Sequence, residues 1–326
     1  MSKNISLDEI KEFWPDKAPD INIVQKYIKK YENEKIVIKY GGNVLIDRNV
    51  FNNFISDINV LNRLGLSVIV VHGGGPRIKR ELDKKKIVSK FINGLRVTDK
   101  NIIDTVEEVL IDFNKDIASS LKKLGSQAAM FHTKTDNIIE VEPEREELGF
   151  VGIPNKINDR LILNALNENK IPIIAPLGLG KNEQTYNING DTAASAIAKK
   201  LKSRRLILMT NVEGVYDDQK NLISEIKPLD LENLIKWKIV EGGMIPKIEN
   251  CVDAVENGVR GVVILDGRKP HSILHEIFSD KGELKLKFYL NGCKRYQIKS
   301  NFIVTLILHF FLINMLIYLK HLIKIL

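Results

Sequence analysis

The stretch Ile36-Val37-Ile38-Lys39-Tyr40-Gly41-Gly42-Asn43 decides the fold, and Val68-Ile69-Val70-Val71-His72-Gly73-Gly74-Gly75-Pro76 repeats its logic further along the chain. Each is a β-branched run that ends in consecutive glycines and gives way to a helical pattern, which reads as a strand–turn–helix unit. Glycine lets the backbone approach an anion closely, and the helix that follows turns its free N–H groups and positive dipole end toward that anion. Two such units in succession predict one phosphate-handling crevice at the carboxyl ends of neighbouring parallel strands.

Working outward, a helix over about 47–64 joins the two loops, with Gly65 as its C′ residue. Residues 76–85 read as a charged helix, and a long helix runs from about 100 to 124 and stops at Gly125. Gln127 to His132 reads as a strand, 137–157 as a hairpin region, 159–168 as a helix and Ile171-Pro172-Ile173-Ile174-Ala175 as a buried strand. The polar stretch Gly178 to Thr185 is the expected lobe boundary. Beyond it come a helix (191–201), a strand (205–210), a turn at Gly214, helices near 230–236 and over 246–257, and a strand at 261–265. Strands alternating with helices predict an α/β fold with a mainly parallel central sheet. Ahead of this, in residues 1–34, Ile21, Val24, Ile28 and Tyr31 recur at helical spacing with Lys26, Lys29, Lys30 and Glu32 between them. This amphipathic helix must bury its apolar face, either on its own domain or against another subunit.

A chain of 326 residues is long enough for two lobes, each with its own core, and 44% apolar with 28% charged content is ordinary for a soluble globular protein. Cys251 and Cys293 lie far apart without metal-ligand spacing, which suggests no disulfide framework and fits a reducing, cytoplasmic setting. The charged start after Met1-Ser2-Lys3-Asn4 argues against a secretory signal. The formal charge of +8 does not point to nucleic acid. From Glu283 to Leu326 six lysines and one arginine face one glutamate, so the rest of the chain carries only +2. A nucleic-acid binder concentrates its basic residues on a folded face.

Lys39 ends an otherwise apolar strand, where a cation must either snorkel to water or meet an anion. Its place directly before Gly41-Gly42 favours the anion, and a compact ammonium suits a transferring phosphoryl group. Lys247, in Glu241-Gly242-Gly243-Met244-Ile245-Pro246-Lys247, follows a proline suited to a first helical turn, with Ile248, Cys251, Val252 and Val255 marking the buried face. A lysine that early opposes the helix dipole, so it is either a plain surface residue or one with an anionic partner. Asp191 is by default an N-cap or first-turn acid, and in a crevice with two lysines it would also hold both ammonium groups. Asn187 is either a turn former or a donor to a substrate carboxylate or amide. Arg96, between apolar residues in Gly94-Leu95-Arg96-Val97-Thr98, suggests a bidentate clamp on a carboxylate. His72 reads as a hydrogen-bonded structural histidine. The pattern GxxxxGK[ST] is absent, as are HExxH and CxxC.

Together Lys39-Tyr40-Gly41-Gly42-Asn43, His72-Gly73-Gly74-Gly75-Pro76, Asn93-Gly94-Leu95-Arg96-Val97-Thr98, Asn187-Ile188-Asn189-Gly190-Asp191 and Gly242-Gly243-Met244-Ile245-Pro246-Lys247 resemble the amino-acid kinase family. Within it they resemble the branch that phosphorylates N-acetyl-L-glutamate, over roughly residues 20 to 282. The resemblance implies an αβα sandwich of two lobes. An N-lobe (35–178) would bind acetylglutamate and dimerise, and a C-lobe (179–282) would bind ATP, with Mg²⁺ accompanying the nucleotide. Lys39 and Lys247 would stabilise the transferring phosphoryl group, with Asp191 organising the two lysines. Gly41, Gly42 and Gly74 would donate backbone N–H groups, while Gly74, Gly75, Arg96 and Asn187 hold acetylglutamate. The segment Leu208 to Tyr216 resembles the nucleotide-site strand and turn, so Thr210, Asn211 and Met244 fall to the nucleotide, although Asn211 stands where many relatives have Asp. A carboxylate nucleophile is already ionised at neutral pH, so positioning and charge neutralisation would carry the catalysis.

The helix at 21–31 resembles the extra N-terminal helix of arginine-inhibited members, which links homodimers into hexamers. Tyr27, His271, Glu276 and Gly282 resemble parts of their arginine site. L-Arginine is therefore an expected inhibitor, and a regulator of the PII type is a candidate partner. After Gly282 the family ordinarily ends, but this chain continues through a 283–326 tail with an apolar run at 302–319. That run is either a membrane anchor or the product of an out-of-frame reading. The second is preferred, because Glu283-Leu284-Lys285-Leu286-Lys287-Phe288 can be encoded by codons that, shifted by one nucleotide, read Gly-Ile-Glu-Thr-Lys-Ile, which resembles the family's usual ending. The alternatives are a sibling activity (glutamate 5-kinase, uridylate kinase or carbamate kinase) or a non-catalytic arginine-binding regulator. The presence of Lys39, Asp191 and Lys247 counts against the last.

Overall fold

The computed structural model describes residues 5–42, 47–211, 216, 219, 221, 223, 231–237, 239–240, 244–279 and 286–288. A short helix, α1 (Leu7–Lys11), and a 3₁₀ turn (Ile21–Ile23) lead into α2 (Val24–Tyr31). The first strand–loop–helix units are β1 (Lys35–Tyr40), α3 (Arg48–Arg63), β2 (Ser67–His72) and α4 (Gly75–Lys84). Asp47 caps α3 by accepting from the Asn49 and Val50 amides, and Gly65 ends it at φ +80°. The small hairpin β3 (Phe91–Ile92) and β4 (Leu95–Arg96) precedes the long α5 (Lys100–Lys123), which Asp99 caps. Then come β5 (Gln127–Phe131), β6 (Ile139–Pro143), β7 (Gly152–Ile157), α6 (Asp159–Asn167), β8 (Lys170–Ile174), β9 (Leu177–Leu179) and β10 (Thr185–Asn187). The last third holds α7 (Gly190–Lys200), β11 (Arg205–Thr210), α8 (Leu231–Lys236), α9 (Met244–Glu256), β12 (Val262–Asp266), α10 (Ser272–Ile277) and β13 (Leu286–Phe288).

The central sheet runs β13-β12-β11-β1-β2-β8-β5 and is parallel throughout except for β13 against β12. Strand alternation divides its side chains between two layers. Val37, Ile69, Val71, Leu206 and Leu208 pack with α6, α7 and α9, whereas Ile36, Ile38, Val68, Val70 and Ile207 pack with α2, α3, α5 and α10. This is the αβα sandwich that the resemblance implies, and its sheet is mainly parallel, as the alternating pattern predicts. β1 lies between β2 and β11, so the two halves of the chain share one sheet.

Two local expectations change and a third is extended. The Gly178–Thr185 stretch is not a bare boundary: β9 and β10 pair antiparallel across it and join β6 and β7 in a second sheet. Helix α9 begins at Met244, two residues before Pro246. In α2 the buried residues are Val24, Tyr27 and Tyr31. Tyr27 joins the expected face, and Ile21 and Ile28, partly buried, pack against the same core. Tyr27 meets Phe278 edge-on at 6.3 Å, so this helix buries its apolar face on its own domain. Of the tail, only β13 falls within the described residues. The 302–319 run, Gly214, Gly242, Gly243 and Gly282 lie outside them. Among the described residues no helix is long and apolar enough to cross a membrane.

Candidate active site

Alternation along β1 puts Lys39 on the same side as Val37, the layer that contains α7 and α9. Asn189 caps α7 by accepting from the Asp191 and Thr192 amides, which fixes Asp191 in the first turn, facing the end of β1. Lys247 reaches the same carboxylate from the fourth position of α9. Lys39 Nζ stands 2.9 Å from Asp191 Oδ1, and Lys247 Nζ 2.5 Å from Asp191 Oδ2. The three side chains are 9%, 13% and 12% exposed in the order Lys39, Asp191, Lys247. The anionic partner that the odd helical position of Lys247 calls for is thus a residue of this chain.

Burial pushes the Asp191 carboxyl up, but the two ammonium groups and their contacts outweigh it and hold the acid well below the usual carboxylate range. Burial pulls the Lys39 ammonium down; Asp191 opposes this, Lys247 adds to it, and the net direction is downward. Two ammonium groups around one carboxylate leave a net positive charge at the carboxyl ends of the strands. A side chain at Gly41 would displace the Lys39 ammonium from Asp191, and Gly42 needs its backbone freedom. A Cβ on Gly41 would fall 2.2 Å from Lys39 Nζ, and Gly42 adopts φ +82°.

A cleft of about 210 Å³ extends from this triad, lined by Lys39, Gly42, Gly74, Gly75, Arg96, Asn187 and Asp191. Sequence reasoning placed all seven at the site, and the fold gathers them. Lys247 lines an adjoining cavity of about 420 Å³ that shares Gly94, Leu95, Asn189 and Asp191 with the first. Arg96 is 8% exposed, yet no carboxylate lies within ion-pair distance of it among the described residues. It donates instead to Ser89 Oγ and, at 3.3 Å, to the Gly75 carbonyl. Asn187 donates to Thr98 Oγ1 at 3.3 Å. Thr210 closes β11 beside the triad, and its carbonyl accepts from Gly267 N at 2.8 Å. Asn211 borders Gly42, with Oδ1 3.5 Å from where a Cβ on that glycine would sit. Met244 opens α9 and packs on the core beneath it.

His72 points into the opposite layer. Its ring meets Phe113 at 5.0 Å and its Nδ1 lies 3.0 Å from the Gly73 carbonyl, in keeping with a structural role. Burial drives its pKa down to about 4. Tyr27, His271 and Glu276 collect around α10, away from the cleft. His271 Nδ1 pairs with Asp57 Oδ1 at 2.6 Å, and Glu276 lies 3.8 Å from Arg205 Nε. The cavity beside Glu276 measures only about 10 Å³, room for no more than a water. Sequence reasoning missed the roles of Asn189, Ser89 and Phe91. The Asn-x-Asp spacing is a capping signal for the first, but nothing local marks the other two.

Residues 34–266 match the model of the amino acid kinase family. An acetylglutamate kinase from Pelagibacter ubique is 50% identical over 275 residues, covering 84% of this chain and 96% of the relative. One from Clostridioides difficile is 43% identical over 272 residues, covering 82% and 95%. Among solved structures, the N-acetylglutamate synthase from Neisseria gonorrhoeae complexed with coenzyme A and N-acetyl-glutamate superposes with a TM-score of 0.74 at 20% identity, over 82% of this chain and 62% of that longer one. The carbamate kinase from Giardia lamblia bound to AMP-PNP does so with a TM-score of 0.57 at 17% identity, over 78% and 98%. With a twin-lysine carboxylate at the strand ends and this extent of likeness, the chain belongs to the amino acid kinase family.

Proposed function

We propose that this chain transfers the γ-phosphoryl group of ATP to the γ-carboxylate of N-acetyl-L-glutamate, giving N-acetyl-L-glutamyl 5-phosphate, the second step of arginine biosynthesis. The observation that carries the reading is Asp191 holding Lys39 and Lys247 together at the mouth of the acceptor cleft. Two fixed ammonium groups there neutralise charge on a phosphoryl group in flight and need no reorganisation as it moves. The acceptor carboxylate is ionised at neutral pH, so no general base is required. Arg96 takes the α-carboxylate at the other end and aligns the nucleophile.

Selection of the acetylated amino acid follows from the lining. Asp191 is the only carboxylate among the described residues of the cleft, and it is committed to two lysines. The free ammonium of glutamate would find no partner there. An acetamido group would find Asn187 and the apolar walls of Ile78, Leu110, Val151 and Ile188. Mg²⁺ enters with the nucleotide, whose phosphate oxygens supply its ligands. No side chain of the triad is assigned to it, because the nearest carboxylate is already occupied. Strong similarity to acetylglutamate kinases supports the same substrate pair.

The test is a phosphoryl-transfer assay that reads ADP formation by the full chain with ATP and, in turn, N-acetyl-L-glutamate, L-glutamate, UMP and carbamate. N-Acetyl-L-glutamate should be preferred over L-glutamate by roughly 100-fold or more in kcat/KM, the scale on which an unpaired polar group is rejected. Preference for any other acceptor refutes the assignment. The proposal extends to inhibition by L-arginine on the resemblance of Tyr27, His271 and Glu276 to the effector site of arginine-inhibited relatives, not on an open cavity beside Glu276, and a rate unchanged by millimolar arginine in the same assay removes it.

A further inference from the structure

Arg96 is a buried cation whose direct contacts are neutral, with the Asp83 carboxylate acting on it from beyond ion-pair distance. It pairs with Phe91 across the β3–β4 hairpin, and its guanidinium carbon lies 4.8 Å from the centre of the Phe91 ring. Ser89 Oγ and the Gly75 carbonyl accept two of its N–H groups. A guanidinium has five N–H donors, so three remain for a ligand. Phe91 is 57% exposed, too open for a core residue, and it lines the same cleft as Arg96.

From this we infer that Phe91, assisted by Ser89, is a positioning residue that orients Arg96 for the substrate's α-carboxylate. An aromatic face attracts a guanidinium through its quadrupole, consumes none of its donors and cancels none of its charge. A carboxylate in the same place would hold the arginine more firmly but would compete with the ligand for it. The hairpin geometry supplies the face, because residues opposite each other on paired strands present their side chains to the same side. The inference rests on the assignment of the cleft to N-acetyl-L-glutamate.

The experiment measures initial rates for Phe91→Leu, Phe91→Trp, Ser89→Ala and Arg96→Lys beside the wild type, with a thermal melt of each. Phe91→Leu keeps apolar bulk and removes the ring face. Its KM for N-acetyl-L-glutamate should rise about five-fold, the effect of one partly exposed cation–π contact. KM for ATP and kcat should stay within about two-fold, and Phe91→Trp should restore the wild-type KM to within the same margin. Ser89→Ala should raise the same KM and leave that for ATP unchanged. A Phe91→Leu enzyme with wild-type KM overturns the inference. So does a Phe91→Trp enzyme as impaired as Phe91→Leu, or an equal rise in KM for ATP. If Phe91→Leu does not fold, Ser89→Ala decides the matter by the same KM split. If Arg96→Lys itself leaves KM untouched, or the wild type does not use N-acetyl-L-glutamate, the assignment of the cleft falls, and this outcome is distinct from a failure confined to Phe91.

Discussion

Buried cations stand at both ends of the acceptor cleft, and the protein keeps them there by opposite means. Lys39 and Lys247 share the carboxylate of Asp191, in contacts of 2.9 and 2.5 Å. Among the described residues, Arg96 makes direct contacts with a hydroxyl, a carbonyl and an aromatic ring, and Asp83 acts on it from farther off. A charge that must stay fixed while a phosphoryl group passes benefits from a permanent counter-ion, which holds it in place and limits its desolvation cost. A charge meant to recognise an anion is better left incomplete until the anion arrives. On the proposed function, one end serves the transition state and the other the ground state.

The contrast breaks most sharply at the lysines. Lys39→Ala should lower kcat by about 10²–10³, the usual scale for removing one preorganised electrostatic group, with KM for N-acetyl-L-glutamate changed by no more than a few-fold. Lys247→Ala should behave alike. A raised KM with intact kcat would show that both ends do the same work. Arg96→Ala should show the reverse, a KM raised roughly ten- to a hundred-fold with a smaller fall in kcat, read from initial rates at saturating ATP.

The smallest effect is in pH. The folded Lys39 titrates below the ordinary lysine value, so its ammonium is lost, and kcat falls, at a lower pH than a surface lysine would give. Asp191 is the contact that opposes this shift, so Asp191→Asn should move the alkaline limb of kcat further down. An unmoved limb would separate Lys39 from the step. The sign is opposite for the acid itself. The Asp191 carboxyl is depressed, so its contribution to stability is present above the unfolded aspartate value near about 4 and is lost as pH falls toward the folded one. Acid unfolding of Asp191→Asn should lack that component.

Much of this was written in local pattern. The β-branched runs before Gly41 and Gly73 fix two parallel strands, and a cation at the last apolar position of the first strand marks the site. The odd position of Lys247 in its helix announces a partner, the family resemblance points to Asp191, and the fold brings the two together at 2.5 Å. Where pattern fell short, non-local packing had taken over. Tyr27 belongs to the buried face of α2 because Phe278, far away in sequence, meets its ring edge-on. The polar stretch at Gly178–Thr185 becomes a hairpin because β6 offers it an edge. Phe91 and Ser89 carry no motif, and their significance exists only once Arg96 folds back over them.

The register of β1 has a consequence for how this protein can change. Lys39 lies level with Val71 on one side and Leu208 on the other, with both flanking strands locked by neighbours of their own. Adding or deleting a single residue between Lys35 and Lys39 would turn every later side chain of the strand over. The ammonium would then point at the rings around Phe113, and Tyr40 would enter the cleft. Of all the segments here, this one can drift in composition but not in length.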